Sequence, residues 1–425
     1  MLLVFVLLFA FAASLPAAQL DTARLKSHLP DLEKTLTQNI AGFWLPRSID
    51  TRNGGYIINF GPKGELKGEG TKAIVTQSRQ VWLFSRMARG GHGDRKQLLE
   101  AADHVYRFLR DKMWDSKNGG FYWEVNATGD QKLKPNKHLY GQSFALYAIS
   151  EYAMASGRKD VLDFAIGFFR LLEEKSHDSK YGGYIESFLP DWSPQPASER
   201  GYMGDPALKL MNTHLHLLEA MTTFYRASKL PLARERLVEL IMIESNSVVR
   251  KGLVACTDKY DRDWKPRLEG PYARVSYGHD LENIWLLMDA NDAAGLSNYM
   301  LLDLYKDLFA YSLKYGYDED NGGFFDSGPF NQPADNRSKV WWVGSEAIVS
   351  ALYMYRITGD SQYLSVFEKT WDFLKKRHID WTNGEWHANI LPDGQARGDK
   401  ANVWKAGYHN GRAMIECLEL VRMLK

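Results

Sequence analysis

Asn118-Gly119-Gly120-Phe121-Tyr122-Trp123 is one of six short glycine-containing turns whose spacing decides the fold. The others are Asn53-Gly54-Gly55-Tyr56, Tyr181-Gly182-Gly183-Tyr184, Lys251-Gly252-Leu253, Asn321-Gly322-Gly323-Phe324 and Asn383-Gly384-Glu385-Trp386. Glycines 54, 119, 182, 252, 322 and 384 are separated by steps of 65, 63, 70, 70 and 62 residues. A near-constant step of that size marks one supersecondary unit copied along the chain. Glycine adopts positive φ without steric penalty, so each turn reverses the chain sharply. The aromatic or aliphatic residues that follow read as short extended pieces packing back onto the body.

Between the turns the pattern is helical. Leu98, Leu99, Ala102, Val105, Tyr106 and Leu109 recur at three- and four-residue steps, as on an amphipathic helix. Such spacing predicts twelve helices near 21–44, 75–89, 94–114, 138–156, 159–176, 206–228, 231–250, 278–293, 297–315, 341–357, 361–378 and 408–424. Each turn then falls between an odd-numbered helix and the even-numbered one after it. Six helical hairpins of this length close into a double ring with the even-numbered helices inside, an all-α (α/α)6 barrel. An open solenoid would need polar capping repeats, whereas the first and last helices are as apolar as the middle ones. No linker or low-complexity stretch intervenes, so residues 19–425 read as one catalytic domain.

Composition narrows the function classes. A chain of 425 residues with 45% hydrophobic content buries a large core. Fifty-three basic against fifty-two acidic residues leave a net charge of +1, which argues against nucleic acid or an anionic membrane as partner. Thirteen Trp and twenty-two Tyr exceed what core packing requires, and a few of them can serve as platforms for sugar rings. Residues 1–15 form an apolar run followed by Ala17 and Ala18, so residues 1–18 read as a signal peptide. With that leader working the chain is exported, periplasmic or secreted; without it the chain is cytoplasmic. Cys256 and Cys417 could form one disulfide in an exported chain.

The chemistry should sit where the first turns of six inner helices converge. There the even-numbered helices carry Arg79; Tyr140 and Gln142; Asn212, His214 and His216; His279 and Glu282; Trp341, Trp342 and Glu346; and Trp404, His409 and Arg412. Polar and aromatic side chains replace aliphatic ones at positions that should be buried, which is costly unless they are paired or used. His214 and His216 lie about 200° apart around a helix, so only one of them faces the cavity and the other is structural. His279 and Glu282 are an i, i+3 pair expected to touch, which would raise the basicity of the ring. His28, His92, His104, His177 and His378 read as solvated surface residues.

Three stretches carry a family resemblance: Met211-Asn212-Thr213-His214-Leu215-His216-Leu217-Leu218-Glu219-Ala220, Ser276-Tyr277-Gly278-His279-Asp280-Leu281-Glu282 and Val403-Trp404-Lys405-Ala406-Gly407-Tyr408-His409-Asn410-Gly411-Arg412. With Tyr140-Gly141-Gln142, Trp341-Trp342 and Glu346, they resemble the N-acylglucosamine 2-epimerase superfamily, most of all its cellobiose 2-epimerase branch. The resemblance covers nearly the whole chain after the leader and implies the same (α/α)6 barrel. It implies His279 and His409 as the pair that handles the proton, with His216 and Arg79 as stabilising groups. It assigns Tyr140, Asn212, Glu282, Trp341, Trp342, Glu346 and Trp404 to holding the sugar or supporting the histidines. The leader departs from the family, whose familiar cellobiose epimerases are intracellular.

The implied reaction inverts C2 of a reducing sugar through an enediolate and calls for no metal or other cofactor. The expected partner is a small sugar, a disaccharide or monosaccharide, taken by a monomer or weak homodimer. An aldose–ketose isomerase of the mannose type would use the same enediolate. A glycoside hydrolase would need two carboxylates flanking the bond and would leave the histidine triplet without a task.

Overall fold

The computed structural model describes residues 20–424, so the expected signal peptide lies outside the described residues. The glycine turns share one construction. Asp50, Asp115 and Asp380 each accept the backbone N–H of the Asn three residues on, at 2.9, 3.1 and 3.0 Å. The two residues that follow take left-handed φ, 74° and 75° at Gly119 and Gly120, with Glu385 in place of the second glycine after Asp380. A Cβ on Gly120 would also lie 2.5 Å from the Trp192 ring, so close approach as well as φ demands glycine there.

A lysine on the approach to the next inner helix pins five of the six turns. Lys72, Lys137, Lys209, Lys339 and Lys400 set Nζ on Asp50, Asp115, Asp178, Asp318 and Asp380 at 2.7, 2.7, 3.1, 2.7 and 2.9 Å. Four of the pairs are buried and Asp318 of the other is partly so, and each ties the end of an outer helix to the segment that leads into an inner one. The fourth turn departs from the pattern. It lacks the aspartate–lysine pair, and Val254, at φ 56°, takes the left-handed position expected at Gly252.

The outer arm α1 is broken into Thr22–Lys26, Leu29–Lys34, Thr35–Ala41 and Gly42–Ser48. The inner helices are α2 (Ile74–Gly90), α4 (Leu139–Ser156), α6 (Met211–Ser228), α8 (Tyr277–Ala294), α10 (Trp341–Thr358) and α12 (Tyr408–Met423). The remaining outer helices are α3 (Arg95–Phe108), α5 (Lys159–Ser176), α7 (Pro231–Met242), α9 (Leu302–Gly316) and α11 (Ser361–Phe373). Burial separates the two rings: α2 is buried on every side from Ile74 to Ala88, whereas α3 buries one stripe that includes Leu98, Ala102 and Val105. Each inner helix packs on the next, and α12 packs on α2, which closes the ring. The α1 arm seals the seam. Trp44 Nε1 donates to Glu385 Oε2 at 2.7 Å, and Asn39 Nδ2 donates to the Asp380 carbonyl at 2.8 Å. The fold is the expected (α/α)6 barrel.

Four details differ from the sequence expectations. The helix expected from residue 206 begins at Met211, because Lys209–Leu210 pairs as a short antiparallel strand with Lys259–Tyr260. Cys256 and Cys417 are free and buried on separate elements, a mouth strand and α12, so the disulfide is not formed. His92 and His378 are buried rather than solvated. His378 Nδ1 lies 2.9 Å from the His387 carbonyl, closing the end of the α11 arm. No helix among the described residues is long and apolar enough to cross a membrane.

The pinning pairs make stability acid-sensitive. Burial alone would raise the Asp115 pKa, but Lys137 and Asn118 outweigh it and hold the carboxyl at about 2. A lowered carboxyl pKa contributes stability above the unfolded value of about 3.9 and loses it as pH falls toward the folded value. Lys137→Met should therefore cost about 3–5 kcal/mol at neutral pH by stranding a buried carboxylate, and should flatten the stability loss between the two pKa values. Urea unfolding at several pH values measures both effects, and unchanged stability would rule the pair out as a pin.

Candidate active site

All six inner helices start at one end of the barrel, so their first turns face one another. The cavity they enclose has a volume of about 200 Å³ and is lined by Arg79, Tyr140, Asn212, His216, His279, Glu282, Trp341, Trp342, Trp404 and His409. These are ten of the eleven expected site residues; Glu346, the eleventh, supports His409 from behind. Local contacts fix where the helices begin. His138 Nδ1 accepts the Tyr140 N–H at 3.1 Å at the start of α4, and Asp258 Oδ1 accepts the Asn212 N–H at 3.1 Å at the start of α6. Asn402 Oδ1 accepts the Trp404 and Lys405 N–H groups at 2.8 and 2.9 Å, shaping the approach to α12.

Trp342 touches both candidate proton carriers, with ring centroids 4.8 Å from His279 and 5.7 Å from His409. The Nδ1–H of His409 donates to Glu346 Oε1 at 2.7 Å, and that of His216 donates to Glu219 Oε2 at 3.0 Å. In this tautomer each ring keeps a lone pair on Nε2. The expected His279–Glu282 bond is not formed among the described residues; Glu282 accepts from Arg412. The carboxylate whose charge opposes the pKa drop of His279 is that of Asp258. The i, i+3 imidazole–carboxylate pair occurs one repeat earlier, at His216 and Glu219.

His214 is the structural member of its pair. Its Nδ1 lies 2.8 Å from the Leu210 carbonyl, and its Nε2 accepts the Tyr184 N–H at 3.0 Å. Gln77 and Gln142 do the same work two repeats and one repeat earlier, accepting the Tyr56 and Phe121 N–H groups at 2.7 and 2.9 Å. Gln142 thus belongs to the turns and not to the cavity lining.

Beneath the histidines lies a charge network that the sequence reading did not assign. Arg412, buried between the rings of Trp285 and Tyr408, donates to Glu219, Glu282 and Glu346. Tyr408 Oη also donates to Glu219, and Trp285 Nε1 donates to Glu346 Oε2 at 2.9 Å. The spacing His216-x-x-Glu219 was the available signal for the first of these carboxylates. Arg79 donates to the Trp404 carbonyl at 2.5 Å and to Tyr140 Oη at 3.2 Å, and it stacks on Phe144.

Burial pushes the His279 pKa down to about 4. It lowers those of His216 and His409 as well, and Arg79 and Arg412 lower His409 further. Burial and the neighbouring Glu346 push Glu282 up to about 7. Burial also opposes ionisation of Glu219, but Arg412 and His216 outweigh it and hold that carboxyl at about 2. At neutral pH the three rings are therefore uncharged and able to accept a proton. Glu282, Glu346 and His409 offer ligand atoms within 4.8 Å of one another, close enough for a divalent cation, yet the Arg412 guanidinium already rests on both carboxylates. A larger hollow of about 560 Å³ lies elsewhere, beside the fifth turn, with a lining of opposed charges such as Asp320, Arg337, Asp372 and Arg377.

The family model described as N-acylglucosamine 2-epimerase matches residues 55–413. The chain belongs to the N-acylglucosamine 2-epimerase family. A cellobiose 2-epimerase of Bacteroides fragilis is 31% identical over 399 residues, covering 91% of this chain and 98% of that protein. The solved structure of cellobiose 2-epimerase from Spirochaeta thermophila superposes with a TM-score of 0.84 at 31% identity, covering 95% of this chain and 98% of that one. A D-mannose isomerase of Thermobifida fusca is 24% identical over 304 residues, covering 68% of this chain and 71% of that protein. The family and these relatives are carbohydrate epimerases and isomerases, and the chain is an enzyme of that class.

A lowered imidazole pKa keeps the ring neutral into acid. Titration of the histidine ring nitrogens by NMR should place the His279 midpoint near 4. A midpoint near the solvated value of about 6.5 would mean that the ring is not desolvated.

Proposed function

We propose that this enzyme inverts C2 of the reducing-end aldose of a β-linked, cellobiose-type disaccharide, without a metal, by removing and returning a proton through an enediolate. The observation that carries the proposal is that His279 and His409, from different repeats, line one cavity and touch the same indole. Once the sugar ring opens, loss of the C2 proton is tolerable only if the negative charge settles on the C1 oxygen. Arg79, a fixed cation on the cavity wall, supplies that stabilisation in a water-poor site, and His216 joins it when its Nε2 takes up a proton. One of His279 and His409 takes the proton, and the other returns one from the opposite face. The two exchange roles in the reverse direction.

The volumes support a two-unit substrate. A cavity of about 200 Å³ falls below the 300–1,000 Å³ of sites for drug-sized ligands and suits a single hexose unit. Trp404, 40% exposed, stands at its rim with ring centroids 6.1 Å from both Tyr140 and Trp123. Beyond Trp404 a second hollow of about 320 Å³ begins, lined by Trp123, Tyr202, Glu124 and Lys134 among others. The second sugar unit would rest there, its apolar C–H face against aromatic rings.

The similarity to a D-mannose isomerase supports a second reading on the same residues, in which the proton returns to C1 and a ketose forms. Hydrolysis fits poorly, because Glu282 and Glu346 are both engaged by Arg412 and do not flank an open cleft as two catalytic carboxylates must. Incubation with cellobiose, glucose, mannose and N-acetylglucosamine in heavy water, read by NMR, separates these cases. The proposal predicts a C2-inverted disaccharide carrying deuterium at C2; a ketose product would favour the isomerase, and absence of exchange with every sugar would sink both. His279→Ala and His409→Ala should each abolish turnover while circular dichroism stays unchanged.

A further inference from the structure

Arg412 joins four of the six inner helices at one point. Its own helix α12 supplies Tyr408, while Glu219 comes from α6, Glu282 from α8 and Glu346 from α10. All of these groups are buried, and the guanidinium is sandwiched 4.7 Å from the Trp285 centroid and 4.4 Å from that of Tyr408. Two of the carboxylates it holds are the partners that orient His216 and His409, at 3.0 and 2.7 Å. On the far side of the network, Glu219 and Trp285 also line a separate hollow of about 270 Å³ at the other end of the barrel. The guanidinium is thus the partition between two hollows, and no carboxylate of the three is left to carry its charge alone.

We infer that Arg412 is a positioning residue, a built-in cation standing where a divalent metal would fit between Glu282, Glu346 and His409, and that it sets the ring orientation and proton affinity of His216 and His409 through Glu219 and Glu346. A planar fork suits this task because it engages several carboxylates at fixed angles, which a lysine ammonium cannot do. Removing it would leave Glu219 held only by Tyr408 and Glu346 only by Trp285, apart from the histidines themselves, and the two rings less firmly aimed. It would also remove a positive charge that opposes protonation of His409.

The inference rests on the reading of His216 and His409 as reacting groups, so its test includes a readout taken without substrate. Full-length Arg412→Ala is compared with Arg412→Lys and the parent enzyme by ring-nitrogen NMR titration and by turnover of cellobiose. In Arg412→Ala the His409 midpoint should move upward. Turnover should fall about 100-fold from misplacement of the rings, with KM little changed. Low-millimolar guanidinium should restore most of the lost turnover, whereas urea, of the same shape but neutral, should restore none. Arg412→Lys should lose turnover and gain nothing from guanidinium. A folded Arg412→Ala with unmoved titrations, parental turnover or no rescue by guanidinium overturns the inference. Should Arg412→Ala fail to fold by circular dichroism, Arg412→Lys decides: moved titrations support the inference, and parental titrations overturn it. Moved titrations together with a parent enzyme inactive on every sugar would sink the epimerase reading alone.

Discussion

A positive charge taken out of water is unfavourable unless carboxylates surround it, and in this barrel that condition is met on the central axis by Arg412 and three glutamates. The same condition runs the other way: three buried carboxylates around a sugar site would repel one another without the cation. Because the glutamates come from three helices and the arginine from a fourth, the charge balance is satisfied only when those helices are in register. The rings of His216 and His409 hang from two of the same glutamates, so the condition that holds the axis together also aims the imidazoles.

A second set of buried pairs works at the periphery. The lysine–aspartate pins hold the turns at the mouth and so set where the inner helices begin. A helix that started one residue later would rotate its first side chains by about 100°, carrying Tyr140 or His279 off the cavity wall. The side chains that accept the backbone N–H just past the glycines, Gln77, Gln142 and His214, add a second fixing point in the first three repeats. The fourth repeat has its own solution, with Asp280 Oδ1 accepting the Cys256 N–H at 2.9 Å. Precise helix starts are what a reaction at a single carbon requires, since reacting atoms must meet within about 3–3.5 Å.

The ring was legible because periodicity is a local property: six glycine turns and the amphipathic stripes between them state the repeat without any long-range knowledge. The site was legible as a set of positions, the first turns of the even-numbered helices, and ten of the eleven expected residues line one cavity. Pairing was not legible. His279-x-x-Glu282 and His216-x-x-Glu219 have the same spacing and Arg412 engages both glutamates, yet only Glu219 meets its histidine. The same holds for His92, which lies beside Glu33 of the α1 arm, and for His378, which packs on Phe373 and Trp386. Gly252 misled because a turn motif with one glycine allows the left-handed residue to stand elsewhere, here at Val254.

The central claim is that two imidazoles address one carbon from opposite sides. A crystal structure with a reduced, open-chain disaccharide bound tests it most directly. C2 of the alditol should lie within about 3–3.5 Å of a ring nitrogen of His279 on one face and of His409 on the other, with O1 toward Arg79. A ligand whose C2 meets both rings from the same side, or only one ring at all, would contradict the account.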